Sequence, residues 1–377
     1  MSRHNYHRRK KKNKNRTAEV VAAVIAVLTV ACAYAGKVNP LSFFPAPFMA
    51  LAFMPMLIVS LVALAIALLW RRWIAVLVIV ASLVFSLPII TMFVPINNEE
   101  NRPARPVDKS MTLKVMTYNV LGFNFTESDL TAQPSASMQL ILDANPDVVL
   151  MQEGGAAGFD LTELPSVEPF REQILKRYPY YYNSDDGLNI LSKYPFTAHS
   201  LGDRLYARSP RGYNREQTSY LARAFDLQLP SGKQLRLVDF RLQSYHLSFA
   251  KNMNMRVSPD VKPSRLERMR RSFALRGANA DALRHLLDQC PPNVIVCGDM
   301  NDITASHVYR VICGDDFHDA WCDAGNGYAY TYNRHGLKFR IDHILYRGGV
   351  RPFEAERIEG GSSDHYPLMV TFDLDIN

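Results

Sequence analysis

Phe43–Trp70 and Trp73–Ile96 are two apolar runs without a single Asp, Glu, Lys or Arg, separated only by Arg71 and Arg72. A shorter run, Ala18–Ala35, precedes them with Glu19 as its one charge. A helix that crosses the hydrocarbon core of a bilayer needs about 20 mostly apolar residues. Each run approaches or exceeds that length, so three transmembrane helices are expected over residues 17–96. Pro45, Pro47 and Pro55 fall near the start of the second run, where neighbouring helices can satisfy the freed backbone groups. Trp70 and Trp73 flank the Arg71-Arg72 pair, as in a tight turn at a membrane interface with its aromatic belt.

The net charge of +7 suggests a nucleic-acid binder until it is located. Residues 1–16 carry eight of the basic side chains and no acid. From Met111 to the end the chain has 29 Lys and Arg against 32 Asp and Glu. The excess therefore belongs to the tail and gives no support for a DNA-binding domain. Positive charge stays on the cytoplasmic side. The tail and Arg71-Arg72 are then inside, and everything after about Asn97 is outside, which is periplasmic in a Gram-negative cell. The expected location is the cytoplasmic (inner) membrane, multi-pass, with the second domain on the outer side. A signal peptide cleaved after Ala33-Tyr34-Ala35 is the alternative, and it leaves the final orientation unchanged. Asn97–Ser110, nearly devoid of apolar residues, reads as a linker (97–110), and a domain begins at Met111 and fills 111–377. The five cysteines have no metal-type spacing; a Cys313–Cys322 disulfide is open in an oxidising compartment.

Within that domain, Leu113–Val120, Asp147–Glu153, Leu188–Ser192, Ser219–Leu229 and Gln234–Arg241 have strand character, several with period-two alternation. Further strands are expected near 293–297, 340–346, 351–358 and 366–374. Ser135–Ala144 and Ser264–Gln289 read as helices. The second has Leu266, Met269, Phe273, Leu283, Leu286 and Leu287 on its apolar face, with Arg265, Arg268, Arg270, Arg271 and Arg276 on its polar face. Strands with interspersed helices imply an α/β sandwich, with two mixed sheets packed face to face and flanked by helices in four layers.

Polar side chains end otherwise apolar strands at five places: Asn119, Glu153, Asp299 with Asn301, Asp342, and Asp364-His365. Gly298 is expected to let the chain turn sharply before Asp299 and Asn301. Each has a bland reading alone. Glu153 could be a solvated strand end, Asp299-Met300-Asn301 a turn that caps itself, Asp342 a partner of Arg340, and Asp364-His365 an idle loop pair.

In order along the chain, Thr117-Tyr118-Asn119-Val120, Gln152-Glu153, Ile190 to Pro195, Gly298-Asp299-Met300-Asn301-Asp302, Arg340-Ile341-Asp342 and Ser363-Asp364-His365 resemble the motifs of the endonuclease/exonuclease/phosphatase family. The resemblance spans nearly all of Met111–Asn377. It implies hydrolysis of a phosphate ester by a metal-assisted water. Glu153 would be the main ligand of Mg²⁺ or Mn²⁺, with Asn119 and Asp364 supporting the metal shell. Asp299 would orient or deprotonate the water, Asn301 would hold the water or a phosphoryl oxygen, and His365 would stabilise developing charge. Asp342 would pair with His365 and favour its protonated form.

One position departs from the family pattern: Arg241 stands where a His or Tyr phosphate contact is usual. Arginine can grip phosphate with two donors but cannot give up a proton at ordinary pH. Gln243 and His246 are possible substitutes, and Arg241 could instead pair with an acid on a neighbouring strand. Arg204, Arg208, Arg211, Arg215 and Arg223, mixed with Tyr206, Tyr213 and Tyr220, form either a phosphate- and base-binding segment or a solvated loop. Phosphodiester cleavage is the expected reaction, on a nucleic acid or a lipid head group, with the helices as membrane anchor and no obligate protein partner. A phosphomonoesterase, a sphingomyelinase-like hydrolase and a tethered binding domain without turnover are the alternatives.

Overall fold

The structure, a computed structural model, describes residues 3–97, 112–124, 133–154, 160–184, 187–201, 205–206, 219–220, 222–244, 264–334 and 336–375; only the backbone is described for 3–15, 124, 205–206, 219–220 and 265. It divides into two compact units, Met1–Met92 with Ala305–Arg310, and Phe93–Thr304 with Val311–Asn377.

The first unit contains α1 (Arg3–Tyr34), α2 (Ala46–Leu51), α3 (Phe53–Leu69) and α4 (Trp73–Phe85); α5 (Leu87–Phe93) follows. Ala22, Ala67, Ala75 and Ile79 pack together where α1, α3 and α4 meet. Thr29 and Ser60, both fully buried, hydrogen-bond through their hydroxyls at 2.6 Å. Phe53, Leu57 and Ile79 are buried with them, while many other large apolar side chains point outward, among them Val27, Leu61, Leu69, Leu77 and Val84. Small and hydroxyl residues thus line much of the contact between the helices, and apolar surface remains exposed around it. Among the described residues Arg16–Lys37 is one helix long and apolar enough to cross a membrane, at 22 residues and mean hydropathy 2.2. The second apolar run is divided at Ala52, leaving α3 with 17 residues. The third bends by 60° between α4 and α5. Pro88 accounts for that bend, since it lacks an N–H and its ring clashes with the carbonyl four residues back.

In chain order the strands of the second unit are β1 (Thr112–Asn119), β2 (Val148–Gln152), β3 (Tyr180–Tyr182), β4 (Asn189–Ser192), β5 (Phe196–Ser200), β6 (Leu205–Tyr206), β7 (Ser219–Tyr220) and β8 (Ala222–Gln228). After them come β9 (Gln234–Arg241), β10 (Val294–Asp299), β11 (His318–Asp319), β12 (Tyr332–Arg334), β13 (Leu337–Phe339), β14 (Asp342–Arg347), β15 (Val350–Arg357) and β16 (Leu368–Leu374). One six-stranded sheet has the order β15-β16-β1-β2-β4-β3 and the other β11-β14-β10-β9-β8-β5. Each is mixed: β1 with β2 and β10 with β9 run parallel, and the remaining pairs are antiparallel.

Period two decides what each strand buries. Leu113, Val115, Val148 and Leu150 share a core with Leu235, Leu237, Ile295, Cys297 and Ile344 between the sheets. Met116, Tyr118, Val149 and Met151 face the other way, into a second core with Met138 and Ile141 of α6 (Ala136–Ala144) and Ile174 of α7 (Arg171–Arg177). The expected long helix is α8 (Arg265–Leu287), capped by Ser264 Oγ accepting from Glu267 N at 3.2 Å. It buries Phe273, Ala280, Leu283 and Leu287. This is the expected four-layer sandwich. The inward register continues past the apolar residues to Asn119 in β1, Asp239 and Arg241 in β9, Asp299 in β10 and Asp342 in β14. Polar groups of both sheets are thereby delivered to one end of the inter-sheet space.

Three expectations change. The strand near 293–297 runs on to Asp299, so Gly298 lies within it rather than at a turn. There a Cβ would fall 2.1 Å from the Phe240 carbonyl oxygen on the neighbouring strand, so the residue is small because β9 passes close. The turn is made by Asn301, at φ 50°. Leu266 is 54% exposed, whereas Arg276, expected on the polar face of the helix, is fully buried. Of the expected linker only Asn97 is described. It donates from Nδ2 to the carbonyls of Cys322 and Gly325, at 3.0 and 2.6 Å.

Candidate active site

Asn119, at the end of β1, is 1% exposed and donates from Nδ2 to two carboxylates, Glu153 Oε1 at 3.0 Å and Asp299 Oδ2 at 3.1 Å. Glu153 follows β2 with φ 55°, a left-handed conformation that costs a non-glycine residue about 1–3 kcal/mol. Its Oε1 also receives Arg241 Nη2 at 2.5 Å. Asp299 is held by the turn that follows it: Asn301 donates its backbone N–H to Oδ1 and its Nδ2 to Oδ2, each at 2.8 Å. The self-capped turn and the site are thus the same object. Asn301 Nδ2 also reaches the Leu242 carbonyl at 2.9 Å.

Asp342 is the register partner of Asp299 across β10 and β14. Its Oδ2 pairs with His365 Nδ1 at 2.8 Å, while its Oδ1 is buried with no hydrogen-bond partner among the described residues. Arg340 takes no part, because its guanidinium is bound to Asp319 at 2.8 Å. The His365 ring packs edge-on against Tyr332, and its loop is fastened to β1 by Ser363 Oγ donating to the Asn119 carbonyl at 2.7 Å. Asp364 turns to Arg334, at 3.2 Å, and not to Glu153 or Asn119.

Burial and the facing charge of Asp342 raise Asp299 to about 7, against the opposing pull of His365, Arg241 and the Asn301 amide. Burial alone would lower His365, but the charge and hydrogen bond of Asp342, reinforced by Asp299, raise it to about 9. One oxygen each from Asp299 and Asp342 and a ring nitrogen of His365 lie within 4.8 Å of one another, a separation that could hold a metal. An imidazole held at about 9 is protonated at neutral pH, so it donates to Asp342 and is itself the cation beside both carboxylates. A hard divalent cation suits Glu153 and Asn119, which offer oxygen donors. The contacts made by the Glu153 carboxylate fall on Oε1 alone, among the described residues. The donor set and the orphaned Asp342 oxygen fit an ion with ordered water.

The structure thus brings together Asn119, Glu153, Arg241, Asp299, Asn301, Asp342 and His365. His246 and the segment of Arg204, Arg208, Arg211, Arg215 and Tyr213 lie outside the described residues, as do the side chains of Tyr206 and Tyr220. Arg223 sits over the Tyr182 ring, 5.3 Å from its centroid. Two supporting groups stand behind these residues. Arg276 meets Asp302 at 3.4 Å and donates to the Gln243 carbonyl at 3.0 Å, bracing the turn behind Asn301. Gln152 spans the sheets, from Thr117 in one to Asp239 Oδ1 in the other at 2.5 Å. Phe273, Arg276, Ala280, Leu283 and Leu287 recur at helical spacing, the signal that places Arg276 on the buried face.

The family model described as the endonuclease/exonuclease/phosphatase family matches residues 116–365. A model for a domain of unknown function matches residues 15–92. No curated protein matches the chain. Solved structures similar to it include an endonuclease/exonuclease/phosphatase family protein from Bacteroides thetaiotaomicron (13% identity, 70% of this chain and 98% of that one, TM-score 0.46). TDP2 of D. rerio complexed with single strand DNA product matches at 19% identity, over 70% and 99% of the two chains, with TM-score 0.45. Sphingomyelinase C from Streptomyces griseocarneus matches at 18% identity, over 69% and 99%, with TM-score 0.42.

Proposed function

The chain belongs to the endonuclease/exonuclease/phosphatase family, and on that premise we propose that it is a membrane-anchored, Mg²⁺- or Mn²⁺-dependent phosphoesterase acting on phosphodiesters. The observation that carries the reading is the pairing of two oppositely tasked groups in one buried site. Asp299, near 7, accepts a proton from water, while His365, near 9, stays cationic beside it. Asp299 and Asn301 position the attacking water. His365, aligned by Asp342, donates to the phosphoryl oxygens as their charge grows. Arg241, within reach of the same space, contributes a second cation. Glu153 and Asn119 would hold the metal ion, which supplies charge neutralisation at the phosphoryl group when bound. Asp364 joins them only if its ion pair with Arg334 opens.

The anchor is multi-pass in this reading, with the catalytic unit on the outer side of the cytoplasmic membrane. Its support is the exposed apolar side chains of α1, α3 and α4 and the basic N-terminal tail. The substrate is a nucleic acid or a lipid head group. A phosphate-binding domain without turnover is the second reading, motivated by the Arg241–Glu153 ion pair. The test is a substrate panel on the full chain in detergent: single- and double-stranded DNA, RNA, sphingomyelin vesicles, bis-p-nitrophenyl phosphate and p-nitrophenyl phosphate. Turnover that Asp299→Asn abolishes at unchanged melting temperature supports the enzyme. Absence of turnover on every substrate leaves the binding domain.

A further inference from the structure

Arg241 and the expected metal ion want the same carboxylate. The guanidinium Nη2 lies 2.5 Å from Glu153 Oε1, and Asn119 Nδ2 donates to that oxygen from another direction. A divalent cation would bind a carboxylate oxygen at about 2.0–2.1 Å for Mg²⁺. With two donors already on Oε1, a cation there would displace the guanidinium. A cation on the other oxygen would still face a fixed positive charge a few ångströms away. We propose that Arg241 is a built-in competitor of the divalent cation: it neutralises Glu153 in the metal-free protein and must leave for the cation to bind. The inference rests on the metal-dependent reading above.

Three features suit a displaceable group rather than a permanent strut. The pair is held at Nη2 and Oε1, and no side-chain hydrogen bond among the described residues completes the bidentate fork that makes arginine–carboxylate pairs strong. Both partners are partly solvated, 30% and 27% exposed, so exchange needs no unfolding. Arg241 Nε is buried without an acceptor among the described residues, so the guanidinium has not found its full set of partners where it sits. Arg241 is also the register partner of Asp299 across β9 and β10, beside the position of the attacking water. Once released from Glu153 its donors are placed for a phosphoryl oxygen, which satisfies what the carboxylate leaves open. Arg241 thereby serves in turn as the counter-ion of the metal ligand and as a phosphate grip.

The test is direct binding of Mn²⁺ to the full chain in detergent, followed by electron paramagnetic resonance of the unbound ion, for wild type, Arg241→Gln, Arg241→Lys and Glu153→Gln. Removing one positive charge at a few ångströms in a partly solvated site tightens Mn²⁺ binding roughly tenfold in Arg241→Gln. Arg241→Lys, which keeps the charge, stays near wild type, and Glu153→Gln loses binding. Arg241→Met, which keeps the apolar stem, repeats the measurement should Arg241→Gln not fold. Equal or weaker binding in both charge-removing variants, with Glu153→Gln still abolishing it, overturns the competition alone. No Mn²⁺ binding by wild type or by any Arg241 variant overturns the metal-dependent reading and the competition with it.

Discussion

Gly298→Ala adds one methyl group against Phe240, its register partner on β9. The new Cβ would stand 2.1 Å from the Phe240 carbonyl oxygen and 2.8 Å from Phe240 Cδ1. Carbon contacts are favourable only at about 3.5–4.0 Å, so the strands must part by roughly 1 Å. They are held by hydrogen bonds about 2.9 Å long, and a 1 Å opening breaks those on either side. Overpacking costs about 1–3 kcal/mol, and each lost backbone bond adds about 0.5–1.5 kcal/mol. A total near 3 kcal/mol lowers the melting temperature by about 6–12 °C for a domain of this size. Asp299 is the next residue and moves with the strand, so hydrolysis falls at least about tenfold at temperatures where the variant is still folded. Thermal unfolding and turnover of the full chain in detergent measure both. A melting temperature within about 1 °C of wild type, with full turnover, would show that Gly298 is not a close-approach residue and would refute the reasoning.

Arg276→Met breaks the buried pair with Asp302, and breaking such a pair costs about 3–5 kcal/mol; a melting temperature unchanged from wild type contradicts it. His365 holds its proton up to about pH 9 in the folded protein, against about 6.5 for an unperturbed imidazole. The stabilisation from its pair with Asp342 is therefore complete below about pH 6.5 and is lost as pH rises through about 9. Carbon-13 histidine resonances of the metal-free protein should titrate near that upper value and move down in Asp342→Asn; a midpoint near 6.5 in wild type removes the pairing argument. The full chain should stay with membranes through an alkaline carbonate wash, and protease added outside spheroplasts should cleave the catalytic unit. Extraction by the wash, or a protected domain, rules out the proposed anchor or its orientation.

The strand ends were the most legible part of the chain. Leu113, Val115 and Thr117 alternate inward, so the polar residue two positions on, Asn119, has to enter the inter-sheet space; Asp299 follows Ile295 and Cys297 by the same rule. What the sequence concealed were partners. Arg276 was read as solvated because it is charged, yet its acid, Asp302, comes from a loop after the next strand. Arg340 sits two residues from Asp342 but is claimed by Asp319 in another element. Local spacing carries no information about such long-range pairs. Gly298 was read as a turn residue because glycine permits turns, whereas the reason for its size is an adjacent strand invisible from its own neighbourhood. The helix breaks at Ala52 and Ser86 were hidden for a related reason, since hydropathy reports what a run buries but not whether its backbone is continuous.

The central claim is a metal-assisted phosphoester hydrolysis centred on Asp299. Its most direct test is the rate at which the purified full chain hydrolyses bis-p-nitrophenyl phosphate in Mn²⁺, measured before EDTA, after EDTA, and after Mn²⁺ is restored in excess. The account predicts turnover that EDTA abolishes, that Mn²⁺ restores, and that Asp299→Asn lacks throughout. Turnover that persists undiminished in EDTA, or that Asp299→Asn retains, would contradict it.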